Sequence, residues 1–142
     1  MQNYIITNNK TFMANLLKSS IFDTFEAREV VLQTQVKHLI DGFNGANEFI
    51  KWNYLRPTVY SLISKQHTLS YFKLVLSISK VNDLQHQFVT DDTCTFFLNI
   101  TFKDNQINCT TGCAYKTFTL DKSAEQNWDK YIEKLFISNN FI

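Results

Sequence analysis

The sequence predicts an α+β fold, with a mainly antiparallel sheet of about five to seven strands and about three helices, the C-terminal helix packed on the sheet. Three observations point there. Apolar residues alternate with polar ones through several short runs, which is the period of a half-buried strand. Segments at helical spacing are interleaved with those runs, the last at the C-terminal end. The chain of 142 residues holds 13 Phe but three Gly and one Pro, so bulky core residues are plentiful and loop formers are scarce. That length is most simply one domain, spanning residues 1–142, and a domain of that size buries enough surface to need no disulfide or metal staple.

Taken in order, residues 3–7 read as a short first strand. "NKTFMANLLKSS" places Phe12, Leu16 and Leu17 on one helical face, with Asn8 or Asn9 as cap. From Phe25 to Gly42, Val30, Leu32, Val36 and Ile40 alternate with Glu29, Gln33, Gln35 and Lys37. The run is too long for one strand, so a reversal falls near Gln33–Val36 and "DGFNG" ends the second arm. "WNYLRPTVYSLISK" carries the single Pro. Proline sits best in the first turn of a helix, so the second helix is expected to begin at Pro57.

Phe72, Leu74, Leu76 and Ile78 form the next strand, and residues 81–93 are polar and irregular, with Leu84 and Phe88 as anchors. Phe96, Leu98, Ile100 and Phe102 share one strand face, and Asp104 and Asn105 suit a hairpin turn. Trp128, Tyr131, Ile132, Leu135 and Phe136 form the stripe of the last helix.

Several functional classes are disfavoured. The net charge is +1 and the basic residues never form a block, which argues against a nucleic-acid partner. No apolar run approaches a membrane span, and "MQNYIITNNKTF" lacks the basic and apolar regions of a signal peptide. An odd number of cysteines, three, fits a reducing, cytoplasmic location. Two glycosylation sequons, at Asn99 and Asn108, are then chance matches.

Cys94, Cys109 and Cys113 lack the paired spacing of a zinc site, so no metal and no cofactor is expected and the thiols are read as reduced. No nucleophile elbow or triad is legible. His38 shares parity with Val36 and Ile40 and faces the core as a structural residue; His67 and His86 fall in polar connections. Asp91 and Asp92 form a solvated turn.

The stretch "TTGCAYKTFTLDKS", residues 110–123, gathers Gly112, Lys116 and several hydroxyls before Asp121. It lacks the second Gly of a phosphate loop. Phe118 and Leu120 continue the strand pattern instead, and Leu120 with Asp121 and Glu125 resembles a staple-and-cap entry into the last helix. On this parity Lys116, like Arg28 beside Val30 and Leu32, starts toward the apolar face. There each must snorkel to the rim, pair with a carboxylate such as Glu26, or line an anion pocket.

"KTFMANLL", "FDTFEAREV", "IDG", "LRPTVYSLI", "LSYFKLVLSIS", "FFLNITFKDNQINCTTG" and "KTFTLDKSAEQNWD" resemble, in order, a family of small uncharacterised bacterial proteins known as a domain of unknown function. The resemblance covers nearly the whole chain. The sequence departs from it at Lys65, Gln66, His67 and Thr68, where a Gly-containing basic turn is expected. The family brings no activity, ligand or site residue to carry over.

Two functional expectations follow. The first is a non-enzymatic binding or interaction module, in which Trp52, Tyr54, Tyr71 and Phe97 pattern outside the core stripes and offer a surface for a protein partner or self-association. The second is a small-molecule or anion-binding domain, an enzyme included, using Arg28, Lys116 and Arg56, the last beside the free N–H groups of a helix starting at Pro57.

Overall fold

The computed structural model describes residues 1–45, 48–64, 68–79 and 94–142. The irregular reading of 81–93, together with His67, His86 and the Asp91–Asp92 turn, lies outside the described residues. Among those described are six strands and three helices: β1 (Asn3–Ile5), α1 (Asn9–Lys18), β2 (Glu26–Gln33), β3 (Lys37–Asp41), α2 (Trp52–Ser64), β4 (Tyr71–Ile78), β5 (Cys94–Lys103), β6 (Gln106–Tyr115) and α3 (Ser123–Ser138). The strands form one antiparallel sheet in the order β1-β6-β5-β4-β2-β3. This is the expected α+β architecture.

One face of the sheet builds the core. Val30, Leu32, Leu74, Leu76, Phe96, Leu98, Ile100, Ile107 and Cys109 are buried there with Phe12, Leu16 and Leu17 of α1, Trp52 and Val59 of α2, and Trp128, Ile132 and Phe136 of α3. Aromatic rings run through this layer in contact: Tyr4–Phe136–Phe12–Phe22–Phe25–Trp128–Phe96, with Phe141 packed on Phe12 and Phe136. Edge-to-face, tilted and stacked pairs of this kind add to the area they bury, and they account for the Phe-rich composition.

Local signals read from the sequence hold at several joints. Asn8 caps α1, its side chain accepting from the Thr11 N–H at 3.3 Å. Asp104 and Asn105 take φ of 53° and 60° and form a two-residue hairpin between β5 and β6, as a type I′ turn requires. The reversal between β2 and β3 falls at Thr34–Val36, with Thr34 N–H donating to the Val36 carbonyl at 3.1 Å.

Two boundaries differ from expectation. α2 begins at Trp52, five residues before Pro57, which lies inside the helix. Tertiary contacts set that start. The Trp52 backbone N–H donates to the Phe25 carbonyl (2.8 Å) and its indole N–H to the Leu16 carbonyl (2.9 Å). Pro57 then costs one intrahelical bond, the one its missing N–H would make to the Asn53 carbonyl. The strand ending at Tyr115 is the second difference. Residues 116–122 leave the ladder, and Phe118 and Leu120 stand 88% and 85% exposed. Leu120 therefore forms no staple. Asp121 still serves the helix start, its Oδ1 accepting from the Ser123 N–H at 2.9 Å.

Candidate functional site

The site grows from an irregularity in β2. Its ladder with β4 pairs Ala27 with Leu76 and then Glu29 with Val75, so Arg28 is the extra residue of a β-bulge. A bulge resets which way the chain faces. Arg28 is thereby taken off the core-facing parity that its spacing from Val30 and Leu32 implied, and lies on the outer face. There its Nε donates to Ser77 Oγ at 2.8 Å.

The chain after β3 completes the surroundings. Gly42 N–H donates to the Arg28 carbonyl (2.9 Å), Ile50 N–H to the Gly42 carbonyl (2.8 Å) and Ala27 N–H to the Ile50 carbonyl (2.8 Å). The start of β2, Glu26 to Arg28, is thus bonded to the returning arm, and its pairing with β3 begins at Glu29. A Cβ on Gly42 would stand 1.7 Å from the Ala27 carbonyl oxygen, so only glycine passes this close. The returning arm sets Phe49 over the guanidinium, 4.1 Å from ring centroid to Cζ, while Phe97 of β5 stands 5.1 Å away.

Burial among these groups pulls the Arg28 pKa down, and the nearby negative charge of Glu26 pushes back. Glu26 itself is buried and accepts from both the backbone N–H (3.1 Å) and hydroxyl (2.6 Å) of Ser79. It supports Arg28 through space and does not salt-bridge it. Among the described residues no carboxylate salt-bridges the guanidinium, and its Nη groups have no protein acceptor. Arginine stays charged in such a setting.

Beside Arg28 lies a cleft of about 530 Å³ lined by Arg28, Glu29, Leu39, Ile40, Asp41 and Val75. The registers place Val75, Glu29 and Asp41 in one row across β4, β2 and β3.

The other residues singled out in the sequence fall elsewhere. Arg56 makes a two-pronged salt bridge to Asp23, with both N–O distances 2.9 Å. It is the fifth α2 residue from the start and not a neighbour of a helix N-terminus at Pro57. Lys116 is exposed beyond the end of β6 and faces no apolar layer. Trp52 is fully buried in the core, which removes it from any surface.

Tyr54 is 71% exposed on α2. Tyr71 and Phe97 share the outer face but sit at opposite ends of the β4–β5 ladder, paired with Lys103 and Ser77. The structure thus unites Arg28 with Phe97 and disperses the rest. Phe49, Ser77 and the cleft row were missed. "DGFNG" marked the close-passing Gly42, but alternation alone carries no sign of a bulge.

The described thiols are shielded. Cys94, Cys109 and Cys113 form no disulfide among the described residues; burial holds the Cys109 thiol far above its ordinary pKa, and burial with the Cys94 thiol beside it pushes Cys113 up to about 12. His38 lies opposite Leu32 on the core-facing side, where its Nε2 is buried without a partner among the described residues. No helix among the described residues is long and apolar enough to cross a membrane.

A family profile matches residues 15–142, which takes in every residue of the cleft. The chain belongs to the family of unknown function DUF5721. No curated protein and no solved structure matches it. DUF5721 membership therefore supports the family reading and leaves the chemistry to the residues themselves.

Proposed function

We propose that this DUF5721 chain is a non-enzymatic binding module of the bacterial cytosol that takes a small anionic ligand in the cleft beside Arg28. One observation carries the reading: a guanidinium fixed by Ser77, Phe49 and Phe97 borders a cleft while its Nη donors lack a protein acceptor among the described residues. Such a fork suits a carboxylate or phosphate, and its orientation is set before any ligand arrives, which lowers the entropy cost of binding. Shielded thiols support a binding role over nucleophilic chemistry, because the thiolate is the reactive form. The dispersal of Trp52, Tyr54, Tyr71 and Phe97 weakens the case for a protein-docking surface built on them.

A thermal-shift panel of carboxylates, phosphates and nucleotides tests the proposal. A ligand at tenfold its Kd stabilises by about 1.4 kcal/mol, which raises Tm by a few degrees. The response should vanish in Arg28→Met and persist in Lys116→Met. No stabilisation by any anion at millimolar concentration, or a response indifferent to Arg28, sinks it.

A further inference from the structure

We infer that the ligand of this cleft is a zwitterion of dipeptide size, its carboxylate received by Arg28 and its ammonium by Asp41. The inference rests on the anion-binding reading above and goes further by naming the opposite end of the ligand. A site meant for a phosphate or a multiply charged anion would not present carboxylates on the same wall, yet Glu29 and Asp41 both line the cleft with Arg28. Glu29 is partly neutralised by Lys73, whose Nζ lies 3.6 Å from Glu29 Oε2. Asp41 has no such cation among the described residues. Its Oδ1 accepts from the Phe43 N–H at 3.0 Å, which orients the carboxylate and leaves its charge uncompensated.

Spacing selects the size. Asp41 is directly opposite Glu29 across the β2–β3 ladder, and Arg28 is the preceding residue. Backbones facing across a ladder stand about 5 Å apart and neighbours along a chain 3.8 Å, so the two charged residues leave the sheet about 6–7 Å apart. The Arg28 side chain then reaches toward Ser77 of β4, on the side of β2 away from Asp41, so the charges stand farther apart than their backbones. The termini of a dipeptide reach across such a gap, whereas those of a single amino acid are too close. The cleft volume of about 530 Å³ also lies in the range of small-molecule sites.

Apolar surface fills the rest of the lining. Leu39 is 70% exposed and Val75 lies on the same outer face, while Ile40 borders the cleft with its side chain packed on the core. An apolar ligand side chain laid over Leu39 and Val75 removes that surface from water.

Isothermal titration with the dipeptide Leu-Leu, its N-acetyl form and its C-terminal amide tests each end separately. Leu-Leu should bind, and capping either terminus should weaken binding at least tenfold. Asp41→Asn keeps the Oδ1 acceptor for Phe43 and removes the charge, so this variant should bind Leu-Leu and N-acetyl-Leu-Leu equally. Circular dichroism establishes that each variant is folded. If N-acetyl-Leu-Leu binds as tightly as the parent, the ammonium contact with Asp41 is wrong and anion binding at Arg28 survives. If no dipeptide binds but a simple carboxylate or phosphate does so through Arg28, the zwitterion is again overturned and the anion site stands. If the amide matches the parent, or nothing binds at millimolar concentration, both readings fall.

Discussion

Arg28 and Lys116 stand where a β-ladder is interrupted, and the two interruptions have opposite consequences. At Arg28 the interruption is internal. β2 continues after the bulge, a returning arm bonds to its start, and the side chain is left half-buried among Ser77, Phe49 and Phe97. At Lys116 the interruption is terminal. β6 stops at Tyr115, no pairing among the described residues replaces the ladder, and the following residues are left mostly in solvent. A charge gains a defined environment when the chain around the break is rebonded, and loses one when the chain is let go. Only the first kind of break can make a site.

Breaking the rebonding should have the largest effect. Gly42→Ala puts a methyl into the space of the Ala27 carbonyl, 1.7 Å from its oxygen. The crossing must shift, and the Gly42–Arg28 and Ile50–Gly42 bonds shift with it. Overpacking with backbone displacement costs about 3 kcal/mol or more. Urea denaturation should show that loss, and a near-native midpoint would mean that the arm does not pass β2 so closely.

A smaller loss is expected where α2 is anchored to the turn before β2. Asp23→Ala removes the two-pronged partner of Arg56, with both side chains about one-fifth exposed. The expected cost of about 2 kcal/mol lies between an exposed pair and a buried one. Arg56→Met in the same background should add little, because the pair is already broken. A double-mutant cycle with no coupling would show that the bridge contributes nothing.

Arg28→Met sharpens the contrast further, because it separates stability from binding. The methionine stem keeps much of the packing on Phe49 and Phe97, while the cation–π contacts are lost. Such contacts contribute about 0.5–2 kcal/mol, and removal of a partly desolvated charge offsets some of that. Stability should therefore fall by about 1 kcal/mol at most, with the ligand response abolished. A loss as large as that of Gly42→Ala would make Arg28 a structural keystone and not a binding group.

The same contrast explains what the sequence could show. Period-two alternation placed Phe72, Leu74, Leu76 and Ile78 and the inner face of β5 correctly because their ladder is unbroken. The Asp104–Asn105 turn was legible because positive φ has a local residue signature. Parity fails as soon as a ladder breaks, so Arg28 and Lys116 were both aimed at the wrong place. Proline was read as a helix start although Trp52 sets that start through contacts with Phe25 and Leu16, remote in sequence. The cleft row of Val75, Glu29 and Asp41 joins three strands whose register no single segment specifies.

The smallest effects belong to the terminal break, and they test it most directly. If residues 116–122 have left the sheet, neither Lys116 nor Phe118 contributes to the core, whatever their parity. Lys116→Met should leave the denaturation midpoint unchanged, because the side chain is exposed and meets no apolar layer. Phe118→Ser is the stricter test, since phenylalanine buried in a sheet costs about 3–5 kcal/mol when truncated. At 88% exposure it has almost no burial to lose, and the change should stay within about 0.5 kcal/mol. The serine variant should also be no less soluble, because an exposed ring has been removed. A loss above about 1 kcal/mol for Phe118→Ser would return this segment to the strand pattern. Lys116 would then face the apolar layer after all, and the two breaks would be of one kind.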